Sequence, residues 1–115
     1  MVGSLSDHSI IMEYADDGDL FQKIVEHKKR KIYIDEKKVW KIAIQMLSGI
    51  KTLHEMNILH RDLKSANVFL FKDGTAKIGD MNVSKIAKKG LLYTQTGTPY
   101  YASPEVWNDN PYDNK

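Results

Sequence analysis

The sequence predicts an α+β fold, rich in helix through its first half and built of short strands and loops in its second. Three observations predict it. Apolar residues recur at three- and four-residue spacing from about residue 35 to residue 56, long enough for several helical turns. Two short β-prone runs, Val68–Phe71 and Ala76–Ile78, flank the turn-forming Lys72-Asp73-Gly74-Thr75, as in a hairpin. Pro99, Pro104 and Pro111 are the three prolines, and all fall in the last part of the chain. Helix-breaking punctuation is thus confined to the end.

Taken in order, Ser9–Tyr14 is a short apolar run that meets Ala15-Asp16-Asp17-Gly18, and reads as a buried strand entering a turn. Asp19 can cap a short helix, with Gln22 three residues on. Leu20, Phe21, Ile24 and Val25 give that helix one apolar face, and His27–Lys31 follows as a solvated basic turn. Asp35 and Glu36 place negative charge where the macrodipole of the long helix favours it. Its stripe is Val39, Ala43, Met46, Leu47, Ile50 and Leu53. Trp40 and Ile44 widen the stripe, so a helix largely enclosed by neighbours is expected. Asn57 ends it. Ile58-Leu59 is too short for a helix. After the hairpin there is little periodicity from Gly79 to Pro99, and Pro104–Trp107 suits a short helix with proline near its start.

Composition narrows the class. The 115 residues carry 17 Lys+Arg against 15 Asp+Glu, a net charge of +2, with 42% hydrophobic and 28% charged residues. Those proportions suit a globular chain and disfavour disorder. With no cysteine there is no disulfide framework and no cysteine zinc site. No apolar run approaches the roughly 18 residues that span a bilayer, and Met1–Ser6 has no basic region followed by an apolar stretch, so no signal peptide is expected. Taken alone, the length suits one domain with a modest core.

Two loops carry candidate chemistry. His60-Arg61-Asp62-Leu63-Lys64-Ser65-Ala66-Asn67 lies between the long helix and the hairpin, where rigid elements can hold side chains accurately. It offers a carboxylate as base or orienting group, an ammonium for developing negative charge, and an amide oxygen for a hard metal. Gly79-Asp80-Met81-Asn82 follows the second hairpin strand, and the hairpin can bring both loops to one end. A carboxylate and an amide oxygen there suit Mg²⁺, which takes one or two protein ligands and keeps phosphate and water for the rest.

The first loop resembles the protein kinase catalytic loop H-R-D-L-x-x-x-N. The second resembles the D-F-G metal-binding motif, and Ala102-Ser103-Pro104-Glu105 the A-P-E end of the activation segment. Gly97–Glu105 and Met12–Leu20 are similar, in detail, to NIMA-related serine/threonine kinases. The resemblance implies a protein-kinase-like α+β fold: part of a helix-dominated C-lobe with a hinge strand and a short β-hairpin. It further implies that Asp62 accepts or orients the proton of the substrate hydroxyl, that Lys64 steadies the transferring phosphoryl group, and that Thr98 hydrogen-bonds to both. Asn67 and Asp80 match the Mg²⁺ ligands. Glu13 and Ala15 match hinge positions that bind adenine, Met12 the gatekeeper, and Phe69 the adenine floor. His60 and Met81 resemble packing residues between the two loops. Arg61 matches a residue that can hold an activation-segment phosphate, for which Thr94 and then Thr96 are the candidate acceptors.

Met81 stands where the family has Phe, and Asn82 where it has Gly. No G-x-G-x-x-G and no V-A-I-K lysine precede Ile10. The resemblance therefore implies the middle of a kinase domain, with most of the N-lobe and the distal C-lobe absent. Trp40, Ile44, Leu47 and Ile50 are accordingly expected to be less buried than in a full domain, and the isolated chain to bind Mg-ATP weakly or not at all. The function implied is transfer of the ATP γ-phosphate to a protein Ser/Thr hydroxyl, with ATP and Mg²⁺ as cofactors, in an intracellular, cytoplasmic setting with cytoskeleton or nucleus as variants. The alternative is an inactive kinase-like module that acts by binding a regulatory protein partner. No membrane and no nucleic-acid partner is expected: Lys28-Lys29-Arg30-Lys31 lacks interleaved aromatics and reads as a solvated turn. His8, His27 and His54 lack paired metal spacing.

Overall fold

A computed structural model describes residues 11–81, 84–86 and 98–113. Its elements run α1 (Leu20–Arg30), α2 (Glu36–Glu55), β1 (Ile58–Leu59), a 3₁₀ turn (Ser65–Asn67), β2 (Val68–Leu70), β3 (Ala76–Ile78), β4 (Lys85–Ile86), a second 3₁₀ turn (Pro99–Tyr101) and α3 (Pro104–Trp107). Both longer helices start on the caps that the sequence offers. The Asp19 carboxylate accepts the Gln22 N–H, and the Asp35 carboxylate accepts the Lys38 N–H. Helix α1 continues through the basic run to Arg30 and stops at Lys31, whose φ is 55°. The solvated basic turn is thus mostly helix, because lysine and arginine are good helix formers and suit the negative C-terminal end.

The hairpin is antiparallel, with Val68 opposite Ile78, Phe69 opposite Lys77 and Leu70 opposite Ala76. Alternation along the strands gives it two different faces. Val68, Leu70 and Ala76 are buried with Ile42 of α2, and Leu20 and Met46 pack against them. The opposite face presents Phe69 and Lys77. The turn needs Gly74, which has φ 86° and leaves room for the Lys41 amine above it. Gly49 faces β3, where a Cβ would make ordinary contact with the Ile78 Cδ1 at 3.5 Å, so the packing there does not depend on the missing side chain.

Gln45 fastens α2 to the hairpin. Its Nε2 donates to the Gly74 carbonyl at 3.2 Å and its Oε1 accepts the Ala76 N–H at 2.9 Å. Gln45→Ala is expected to cost about 1–2 kcal/mol for the two bonds lost across to the hairpin. The readout is a lower urea midpoint at an unchanged denaturant slope. An unmoved midpoint would mean that apolar contacts alone seat the hairpin.

Three expectations need correction. The strand expected over Ser9–Tyr14 is not formed across Ile11–Tyr14: Ile11, Met12 and Tyr14 are largely exposed, and among the described residues no strand runs beside them to satisfy their backbone. Ser9 and Ile10 lie outside the described residues. The long helix is not enclosed. Trp40, Ile44 and Leu47 are each more than 60% exposed, as the comparison with a full domain anticipated, and Ile42 is the buried position of α2. Finally, the stretch after Gly79 contains β4, which pairs antiparallel with β1, Ile58 opposite Ile86. Two residues are too few for a periodic signal.

Candidate active site

The loop after β1 is organised by a buried histidine. The Asp62 N–H donates to His60 Nδ1 at 3.3 Å, so the proton sits on Nε2, which donates to the Gly79 carbonyl at 2.9 Å. The Gly79 N–H in turn donates to the Asn67 carbonyl at 2.9 Å. Gly79 is thereby held on both sides by the His60–Asn67 loop, and the Gly79–Met81 loop is docked against it. Arg61 and Asp80 both have positive φ, 68° and 59°. Such backbone is unfavourable for side chains other than glycine and clusters where a loop is held for function.

Four predicted residues converge. The Thr98 hydroxyl donates to Asp62 Oδ1 at 2.7 Å, and Lys64 Nζ lies 2.9 Å from Asp62 Oδ2 and 2.9 Å from Thr98 Oγ1. Asn67 Nδ2 donates to the Asp62 backbone carbonyl at 2.8 Å and to its carboxylate at 3.2 Å. The 3₁₀ turn over Ser65–Asn67 brings the buried Asn67 back onto Asp62. The Lys64 ammonium, then the Thr98 hydroxyl, hold the Asp62 carboxyl below its ordinary 3.8, against the opposing effect of burial. Asp62 is thus an ionised, oriented acceptor at neutral pH.

Asp80 follows Gly79 directly and is exposed. No group of three or more His, Cys, Asp or Glu capable of holding a metal occurs among the described residues. The Asn67 amide oxygen and the Asp80 carboxylate are nonetheless a hard-oxygen donor pair of the kind that Mg²⁺ accepts when phosphate and water complete its shell.

The remaining predicted positions are placed as follows. Phe69 projects from the hairpin onto Gly79, where a Cβ would come within 2.6 Å of its ring. Glu13 is exposed but tied to the same face, its carboxylate 2.6 Å from Lys77 Nζ, and Lys77 also stands 5.0 Å over the Phe71 ring. Met12 is 79% exposed. The Ala15 carbonyl accepts the Gly18 N–H, and the chain beyond it is sewn to β2 through Asp17 N–H to Leu70 O and Leu70 N–H to Gly18 O. Arg61 is half-buried in its loop. Thr94, Thr96 and Asn82 lie outside the described residues.

Three further residues serve the site without having stood out in the sequence. Lys77 could have been found from the hairpin register, which sets it opposite Phe69. Tyr101 meets the Ser65 hydroxyl at 3.3 Å, joining the second 3₁₀ turn to the His60–Asn67 loop. Ser84 donates to the His60 carbonyl at 3.4 Å. Neither of these last two contacts had a local signal.

Comparison with known proteins agrees with this geometry. A family model described as protein kinase domain matches residues 1–115. Serine/threonine-protein kinase Nek3 of Mus musculus is 41% identical over 108 residues, covering 92% of this chain and 21% of its own length. Serine/threonine-protein kinase Nek11 of Homo sapiens is 45% identical over 108 residues, 92% of this chain and 17% of its own. Probable serine/threonine-protein kinase nek2 of Dictyostelium discoideum is 38% identical over 110 residues, 92% and 26%. The chain thus spans about a fifth of the length of these relatives. With the motifs in order, their loops docked on one another and residues 1–115 matching the family model, the chain belongs to the protein kinase domain family and is similar, within it, to the NIMA-related serine/threonine kinases.

Proposed function

We propose that the chain supplies the phosphate-transfer machinery of a serine/threonine protein kinase, moving the γ-phosphate of ATP to a protein hydroxyl. The observation that carries this reading is the closed Asp62–Lys64–Thr98 arrangement, braced by Asn67. It also speaks against a module that only binds, since a binding surface does not need an oriented, ionised carboxylate beside an ammonium.

In this reading Asp62 accepts or orients the proton of the attacking hydroxyl. Lys64, anchored to both Asp62 and Thr98, balances negative charge on the transferring phosphoryl group. The Asn67 oxygen and Asp80 would hold Mg²⁺, while the Asn67 amide N–H groups keep Asp62 in place. The metal, when bound, neutralises charge on the phosphate oxygens. Segment 11–15 serves as the hinge, with Met12 as gatekeeper, backbone groups of Glu13 and Ala15 toward adenine, and Phe69 beneath the ring. Helix α2 and the loops after it belong to the C-lobe. Arg61 holds a phosphate on Thr94 or Thr96, and a regulatory protein partner and an intracellular setting belong to the same reading.

The test is Mg²⁺ dependence, measured in a protein that carries this chain within a whole kinase domain. Asp80→Asn is expected to raise the Mg²⁺ needed for half-maximal transfer at least tenfold, since even outer-shell changes commonly cost about 10–100-fold in metal affinity. An unaltered requirement would remove Asp80 from the metal site.

A further inference from the structure

A second built feature lies away from Asp62, in a groove of about 370 Å³ between the start of α2 and the hairpin turn. Its rim carries Lys37, Lys38, Lys41 and Lys72, against Asp17 and Asp73. Both carboxylates are already engaged. Asp17 is bound by Lys23 Nζ at 2.6 Å, and Asp73 accepts the Thr75 N–H at 2.8 Å within the turn. Lys38 reaches Asp17 only at 3.9 Å. The ammonium groups of Lys37, Lys41 and Lys72 make no direct hydrogen bond or ion pair among the described residues; Lys72 acts on Asp17 and Lys41 on Asp73 only at longer range. Gly74 admits the Lys41 amine over the turn: a Cβ there would lie 2.6 Å from Nζ. The groove wall is apolar, with Ile42, Leu70 and Phe71.

We propose that this groove docks an acidic peptide segment that carries an apolar side chain, on a partner or substrate protein. Charge complementarity names the sign of the occupant: four rim ammonium groups face two rim carboxylates, and one of those carboxylates is already bound by Lys23. The apolar wall and the volume name the rest, since 370 Å³ takes one or two side chains and not an extended chain of nucleotides. Single-stranded nucleic acid needs successive stacking rings along a basic track. Here there is one ring, Phe71, and it already lies under Lys77. The docking stands apart from the Asp62 cluster and would hold even if that cluster did no chemistry.

The probe is a short fluorescein-labelled peptide of glutamate and leucine, titrated by anisotropy against the 115-residue chain at low ionic strength. Saturable binding is expected, weakening with salt as exposed charge pairs do. The triple variant Lys37→Glu, Lys41→Glu, Lys72→Glu is expected to bind about tenfold more weakly or worse. The triple variant Lys28→Glu, Lys29→Glu, Lys31→Glu, on the other basic surface, should bind as the parent does. Far-ultraviolet circular dichroism checks that both variants fold. Equal binding by the groove variant would overturn the proposal. So would equal affinity for a glutamate–serine peptide, which would mean polyelectrolyte attraction only, or tighter binding of a single-stranded DNA oligonucleotide.

Discussion

Asp62→Asn is expected to slow phosphate transfer by about 100- to 10,000-fold, the range that general base catalysis contributes. Affinity for Mg-ATP should change little, in a protein that carries this chain within a whole kinase domain. The argument rests on what surrounds the carboxylate. Three donors meet it: the Thr98 hydroxyl on Oδ1, and Lys64 and the Asn67 amide on Oδ2. An asparagine keeps one oxygen and turns an NH₂ toward donors whichever way it sits, so it loses both the charge and one correct contact. A purely structural role for Asp62 would lower ATP affinity along with the rate. Loss of rate with Mg-ATP affinity retained identifies the proton acceptor, and equal rates in the two proteins would dismiss it.

The same carboxylate sets a pH dependence with a definite sign. Lys64 first, and then Thr98, hold its pKa below the ordinary 3.8 in the folded chain. The folded state therefore favours the ionised form, and the resulting stability is present above 3.8 and lost as pH falls through the lower folded value. Near neutrality Asp62 remains a base throughout, so no limb of the rate profile there belongs to it. The melting-temperature gap between parent and Asp62→Asn should close as pH drops below the ordinary value.

The motif residues were legible in the sequence because their chemistry is local. Asp62, Lys64 and Asn67 sit within one loop, and its bracketing by a long helix and a hairpin could be read from periodicity and an Asp-Gly turn. The helix caps at Asp19 and Asp35 were legible for the same reason. What escaped was set by packing across the chain. Apolar bulk assigned the face of α2 to Val39, Ala43, Met46, Leu47, Ile50 and Leu53. Of these, Met46 does pack on the hairpin core, but the contact is otherwise marked by Ile42 and Gln45, where a polar amide does the joining. Ile11–Tyr14 reads as a strand on composition, yet a strand exists only where a neighbour takes its hydrogen bonds. Strand β4 is too short to announce itself and forms because β1 lies beside it.

Gly79→Ala is expected to destabilise the chain by about 3 kcal/mol, the upper end for an over-packed site. Glycine there is not needed for a left-handed backbone; it is needed for space. A Cβ would lie 2.6 Å from Phe69 Cε2 and 2.8 Å from Cδ2, closer than carbon atoms tolerate. The backbone has nowhere to retreat, because the Gly79 N–H is bound to Asn67 O and its carbonyl to His60 Nε2. The Phe69 ring must move instead, and it stands on the hairpin face where the adenine ring is proposed to rest. Stability and ATP affinity should therefore fall together in this variant, unlike the behaviour of Asp62→Asn. Phe69→Leu in the Gly79→Ala background removes the colliding ring atoms, and should restore a good part of the lost stability. A double-mutant cycle would then give a coupling between the two positions within the roughly 0.5–3 kcal/mol seen for residues in contact. Additive effects would show that the ring and the glycine do not share this space, and that Gly79 matters only through its two hydrogen bonds.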